Sequence, residues 1–341
     1  MTKKFLDLNT AFPLMEKFDQ EVFKKVFPKS TYLQAYFGGK IAGKFDYKNL
    51  FEETDYEISK DQSFIHYTSL QALTSILNNG YFRWSEFRHF EDIEELHYAS
   101  KIFDDIDSLK SNGERINDQK GNCFALSACL NTEKTRKNPF MWEKYGNKGK
   151  GVIIQFKINY DEIFNFLLGK VQYGEDGMKY LVNLKKLAEK FRLNNDGFTY
   201  DHFPERIMEF LAFHKQEKYL SENEVRFFFR KSKSKDDKHN HPSIYEDITY
   251  NNEVRYFFKT FLTERKSILE LEINDEDNRN EYFKLYPTIE IEEIILGNNL
   301  EIARKVEIFQ LLEILQIKYN YNYKLYQLTN ENKIVESNGI F

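Results

Sequence analysis

The sequence predicts an α+β fold, and three observations predict it. About eight stretches rich in β-formers are spread along the chain. Amphipathic helical stretches stand between them. Composition is that of a packed globular protein: 41% hydrophobic and 30% charged residues over a length of 341. That length suits two domains or one elaborated domain, with a core large enough to need no disulfide or metal staples. A net charge of -5 argues against a general nucleic-acid coat or a basic membrane binder. The N-terminus carries no apolar run of signal-peptide length. No stretch of about 18 apolar residues offers a membrane span. The only two cysteines, Cys123 and Cys129, are too few for a disulfide framework and lack the partners of a zinc site. Together these features predict buried thiols in a cytoplasmic protein.

Residues 1–58 read as a helical extension, with Phe12, Leu14, Met15, Phe18, Val22, Phe23 and Val26 at helical spacing and Gly38-Gly39 breaking the pattern. Ser63–Ser85 is the most legible unit. Ser63–Tyr67 is a strand, Thr68 or Ser69 caps a helix striped by Leu70, Leu73, Ile76 and Leu77, and Gly80 stands where the helix ends. Tyr81–Ser85 is the next strand. An acidic helical stretch fills 86–119. Gly121–Ser127 and Val152–Phe156 are strands, with one or two helical turns at Pro139–Gly146 between them. A helical insert covers about 175–218. Glu222–Phe229 alternates as a strand, so that Glu222, Glu224 and Arg226 share one face. Asn252–Phe258 nearly copies it, either by coincidence or as a paired strand. Ser267–Ile273 and Ile289–Gly297 are strands, and a C-terminal helix from about Leu300 to Leu315 leads into a polar tail.

Several chemistries are excluded by absence. GNKGKGV lacks the order of a phosphate loop and precedes a strand. No G-x-G-x-x-G, H-E-x-x-H or G-x-S-x-G occurs. The positive signal is a combination. His66 and Tyr67 end the first strand of the legible unit, and two carboxylates with an arginine share a late strand. A carboxylate can orient a ribose hydroxyl and stabilise an oxocarbenium-like transition state, and an aromatic ring can stack on nicotinamide or adenine. The plain alternatives are a structural histidine and a solvated strand face. Trp142 and Tyr145 either wall a ligand cleft or pack in the core. Arg83 and Arg88 can meet a pyrophosphate or lie free on the surface. The basic loop Arg230–His241 can touch a nucleic-acid backbone or be a solvated loop, and Asp92, Glu94, Glu95 and His97 can sit near a divalent ion or form an exposed helix face with no chemical role, the second being the expectation.

An ordered set of short motifs resembles the bacterial family catalogued as domain of unknown function 2971. His66-Tyr67-Thr68 is followed by a short helix and Gly80, with Glu91-Asp92-Ile93-Glu94-Glu95 in the place of an Asn-Asp-Pro-x-Glu segment. Cys123–Ser127, Met141-Trp142-Glu143-Lys144-Tyr145-Gly146, Lys150-Gly151-Val152, Glu222-x-Glu224-x-Arg226 and Ile294–Gly297 follow in order. The opening unit also resembles the ADP-ribosyltransferase superfamily. That resemblance implies a split mixed/antiparallel sheet over residues 59–300, preceded by the 1–58 extension and closed by a C-terminal helix and tail at 301–341. It implies NAD as substrate, with ADP-ribose passed to a nucleic acid or protein acceptor, as in a toxin or antiphage effector. It implies Glu224 as catalytic carboxylate, Glu222 as its partner and His66 on the adenosine-side ribose. Tyr67, Thr68, Arg83, Trp142, Tyr145 and Arg226 would line the NAD site. A nucleotide- or nucleic-acid-binding module without turnover, or an NAD glycohydrolase, are the alternatives.

Overall fold

The helix of the legible unit shows how local chemistry sets the elements. Ser69 Oγ accepts the Ala72 N–H at 3.1 Å, and Gly80 ends the helix at φ 76°. A serine cap of this kind is worth about 1 kcal/mol over alanine, and the left-handed C-cap is one that glycine adopts without penalty. The computed structural model describes residues 8–37, 40–46, 49–59, 61–90, 94, 96–103, 120–160, 166–195, 203–230, 244–248, 254–265, 287–321 and 323–337.

Helix α1 (Leu8–Phe18) runs through a π-turn at Asp19–Phe23 into a last turn ending at Val26. The extension is not wholly helical, however. Strands β1 (Thr31–Phe37) and β2 (Lys40–Asp46) form an antiparallel hairpin around the Gly38-Gly39 break. β3 (Phe64–Thr68), α2 (Leu70–Asn79) and β4 (Tyr81–Glu86) stand as the sequence predicts. Within the acidic stretch the described residues form only short turns, at Phe87–His89 and over His97–Phe103. β5 (Cys123–Leu130) follows, then α3 (Pro139–Lys144) and β6 (Val152–Asn159). Next come β7 (Leu167–Lys170) and β8 (Gln172–Tyr173), then α4 (Lys179–Asn194) and α5 (Phe203–Leu211), then β9 (His214–Lys215) and β10 (Glu224–Arg230). β11 (Ile244–Ile248), β12 (Val254–Leu262) and β13 (Thr288–Leu296) lead to α6 (Ile302–Tyr319), β14 (Lys324–Leu328) and β15 (Ile334–Glu336). The expected strand at Ser267–Ile273 and the basic loop after Arg230 lie outside the described residues. β12, the near-copy of β10, pairs with β4 and β11 and not with β10, so the repeat is a coincidence.

The result is a mixed, largely antiparallel sheet of eleven strands in the order β11-β12-β4-β5-β3-β6-β13-β14-β15, with β10 and β7 attached through β5. β12 also touches β13 in parallel at Phe261 and Leu262, which closes a ring of six strands. β5 is the hinge of this arrangement. One edge is paired with β10 without a break from Cys123 to Cys129. The other edge holds β4 at Phe124 and Ala125 and β3 at Cys129 and Leu130. The sheet therefore splits between β3 and β4, and Leu126, Ser127 and Ala128 face the gap.

The two faces of the sheet carry different cores. Phe64, Phe82, Trp84, Leu126, Phe156, Val225 and Phe227 build an aromatic core that α2 and α6 cover through Leu73, Leu77, Ile308 and Leu315. The opposite face has two separate covers. α1, α4 and α5 pack on Ala125, Leu167 and Phe228, whereas α3 packs on Ile65, Tyr67, Cys129, Ile153 and Ile295 through Met141 and Trp142. No helix among the described residues is long and apolar enough to cross a membrane.

Candidate functional site

The charged residues of β10 lie at the seam between those two covers. A six-residue 3-10 turn, Glu217–Glu222, ends at Asn223 in the left-handed region, φ 48°. Asparagine tolerates this conformation better than other side-chain-bearing residues. The turn means that Glu222 is not on the strand, which begins at Glu224. The expected shared strand face is thus corrected, but the left-handed residue swings both carboxylates toward one cation. Lys215 Nζ lies 2.8 Å from Glu222 Oε2 and 2.6 Å from Glu224 Oε2.

Around that centre every charge is paired. Glu224 Oε1 accepts from Ser127 Oγ at 2.5 Å and from Arg226 Nε and Nη2 at 2.9 and 2.8 Å. Arg226 is fully buried, donates through Nη1 to the Ala212 carbonyl, and lies over the rings of Phe87 and Phe90. Glu222 Oε1 accepts from Lys144 Nζ at 2.9 Å and from the Tyr145 hydroxyl at 2.5 Å. The Glu224 N–H donates to Tyr173 Oη at 2.7 Å. Burial alone pushes the Glu224 carboxyl up, but Arg226 and then Lys215 more than reverse this and hold it at about 2. Glu222 is lowered in the same way: Lys215, Tyr145 and Lys144 outweigh its burial. Both are therefore ionised at neutral pH. Burial pushes the thiols of Cys123 and Cys129 up to about 12, which leaves both as inert packing groups. Both cysteines are free.

The structure brings Glu222, Glu224, Arg226 and Tyr145 together. Tyr67 and Trp142 share their sheet face but are packed: the rings meet edge to face at 5.2 Å, Trp142 Nε1 donates to the Arg136 carbonyl, and the Tyr67 hydroxyl donates to the Thr135 carbonyl. His66 is on the other face. It pairs with Ile154 and meets Phe82, both in the aromatic core, while its neighbour Ile65 pairs with Cys129 and Cys129 with Glu224. Its Nδ1 donates at 2.9 Å to the Ser127 carbonyl in the gap of the sheet. Burial lowers its pKa, so the ring is neutral with the proton on Nδ1. Thr68 is buried at the end of β3. Arg83 is exposed on β4 with its guanidinium 4.3 Å over Phe257, away from the carboxylates. Arg88 pairs with the buried Glu86 at 2.5 Å.

Reading the sequence missed Ser127, Lys215, Lys144 and Tyr173 as members of the cluster. Ser127 and Lys144 stand inside motifs already singled out. Lys215 and Tyr173 carry no local signal, because β8 and β9 reach the cluster only through the tertiary fold. A second polar knot joins Arg136 to Gln155, Asn131 and Glu293, and joins Glu292 to Ser63, Gln155 and Lys157. A β-bulge between Ile291 and Glu293 makes room for it. A cavity of about 650 Å³ lies elsewhere, between α2, α6 and the turn at Asn147–Lys150. Among the described residues no group of three or more His, Cys, Asp or Glu is placed to hold a metal ion.

The family model described as a protein of unknown function (DUF2971) matches residues 141–227. That span runs from α3 to β10 and contains Lys144, Tyr145, Lys215, Glu222, Glu224 and Arg226. No curated protein and no solved structure matches the chain significantly. Two glycines of the motifs singled out in the sequence have a visible reason. A Cβ on Gly151 would come within 2.3 Å of the Thr68 carbonyl oxygen, and one on Gly297 within 2.1 Å of the Gly149 carbonyl oxygen. Backbone oxygens cannot give way, so these positions exclude every side chain.

Proposed function

We propose that the chain is an ADP-ribosyltransferase-like enzyme that cleaves NAD at the nicotinamide–ribose bond and passes ADP-ribose to a nucleic acid or protein. The observation that carries this reading is the buried, ionised Glu224, oriented by Ser127 and set beside Glu222. In the proposed reaction the C1′–N bond breaks, its electron pair neutralises the departing nicotinamide, and the ribosyl cation is captured by an acceptor nucleophile that loses a proton. Glu224 Oε2, which Lys215 holds at 2.6 Å, turns from that lysine to the 2′-hydroxyl and stabilises the cation, while Lys215 keeps Glu222. His66, on the opposite face, is a positioning residue that fixes the backbone of Ser127 behind the carboxylate.

A second reading, a nucleotide-binding module without turnover, draws on the same atoms. Arg226 and Lys215 neutralise Glu224, and a carboxylate so compensated stabilises a cation less. Nicotinamide release by the purified protein, with and without cell lysate, separates the two. Release that requires lysate and vanishes in Glu224→Gln supports transfer, whereas release without lysate indicates a hydrolase. NAD binding without release in either condition selects the module.

A further inference from the structure

Next to Glu222 the chain has built a cage for a cation and filled it with its own lysine. Lys144 Nζ stands 5.6 Å from the ring centre of Phe140, 4.7 Å from that of Tyr145 and 4.9 Å from that of Tyr219. The fourth wall is Glu222 Oε1, at 2.9 Å. Phe140 and Tyr145 come from α3 and its end, but Tyr219 comes from the turn before β10, so the cage is a tertiary construction. Rings around an ammonium with one carboxylate are the chemistry that recognises alkylammonium groups.

Two features make the occupant exchangeable. The Lys144 side chain is 34% exposed, against 4% for Glu222, and Phe140 is 38% exposed, so the cage opens to solvent at the lysine. Glu222 also keeps Lys215 and Tyr145 when Lys144 leaves, so no buried charge is orphaned. We propose that this cage is a binding site for the alkylammonium group of a ligand, with Lys144 as the internal group that the ligand displaces. The inference goes beyond NAD cleavage, and its tests do not read that reaction.

Calorimetric titration of Lys144→Ala with n-butylammonium is expected to show about tenfold tighter binding than the wild-type chain, because the internal competitor is gone. Adding Tyr219→Ala should remove that gain. An equal titration with a peptide holding one lysine assigns the source: tighter binding of the peptide points to a polypeptide ligand, and tighter binding of butylammonium to a free amine. No gain in Lys144→Ala, or a gain that survives Tyr219→Ala, overturns the proposal. The wild-type chain gives an independent check that needs no variant. Tetramethylammonium should speed acetylation of Lys144 by an N-hydroxysuccinimide ester, read by mass spectrometry, and an unchanged rate overturns the proposal as well.

Discussion

Two pairs of carboxylates in this molecule stand close together in sequence and live differently. Glu222 and Glu224 stand two apart before an arginine, whereas Glu292 and Glu293 are adjacent on β13, with Glu290 two positions before the first and no arginine after them on the strand. The first pair is 4% exposed at each side chain, and its cations Arg226 and Lys215 are 0% and 10% exposed. In the second knot Glu292 and Glu293 are 22% and 17% exposed, and their partners Lys157 and Arg136 are 44% and 22% exposed. Water can repair a broken contact in the second and not in the first. Burial, not the pattern of acids, decides which of the two is an exceptional site.

The sharpest way to break this comparison is to remove one acid from each. Glu224→Ala takes the paired carboxylate from a fully buried arginine, while Lys215 keeps Glu222, and should cost about 3–5 kcal/mol in urea unfolding. Glu292→Ala should cost less than about 1 kcal/mol. Equal losses would show that burial is not the deciding variable.

Acid sharpens it next. Glu224 and Glu222 have folded-state pKa values below the ordinary value of 4.5, Glu224 at about 2. The stability they contribute is complete above pH 4.5 and is lost as the pH falls through that window, because the unfolded chain takes up protons first. Glu224→Gln should flatten this acid limb, and thermal melts between pH 5 and pH 2 read it. An unchanged limb would place the acid sensitivity elsewhere.

Ser127→Ala removes one hydrogen bond to a charged oxygen and should cost about 1.5–3 kcal/mol, since Oε1 keeps Arg226. On the proposed function, nicotinamide release should fall with it. A smaller effect comes from salt. Raising the ionic strength to about 1 M should weaken the Lys157–Glu292 pair by a few tenths of a kcal/mol and leave Lys215–Glu224 unchanged, measured as the coupling in double-mutant cycles.

The same contrast explains how much of the molecule was legible. The unit from Phe64 to Glu86 reads directly because its signals are local: a serine cap, a leucine stripe, a terminal glycine. Glu224 and Arg226 also read directly, because an alternating strand fixes their common face. The alternation reads Glu222 onto that strand, and the one local sign against it is the asparagine at 223, a residue type that tolerates the left-handed region. Lys215 and Tyr173 were invisible as site residues, and His66 was expected beside the carboxylates, because sheet faces depend on which strand pairs with which. The hairpin at β1 and β2 was missed for a different reason: a helical spacing upstream was carried past its end.

The undivided edge of β5 has a consequence in time. Ser127 and Glu224 are 97 positions apart, so β5 leaves the ribosome long before the strand that pairs this edge. At about 5–20 residues per second, the wait is roughly 5–20 s. Through it, Cys-Phe-Ala-Leu-Ser-Ala-Cys-Leu is an uncharged, proline-free strand with one bare side, the kind of segment that recruits another copy of itself. The newborn chain, rather than the finished protein, is where this sequence is most exposed to aggregation. Slowing translation between residues 131 and 223 should therefore lower its soluble yield more than slowing it anywhere after Arg230.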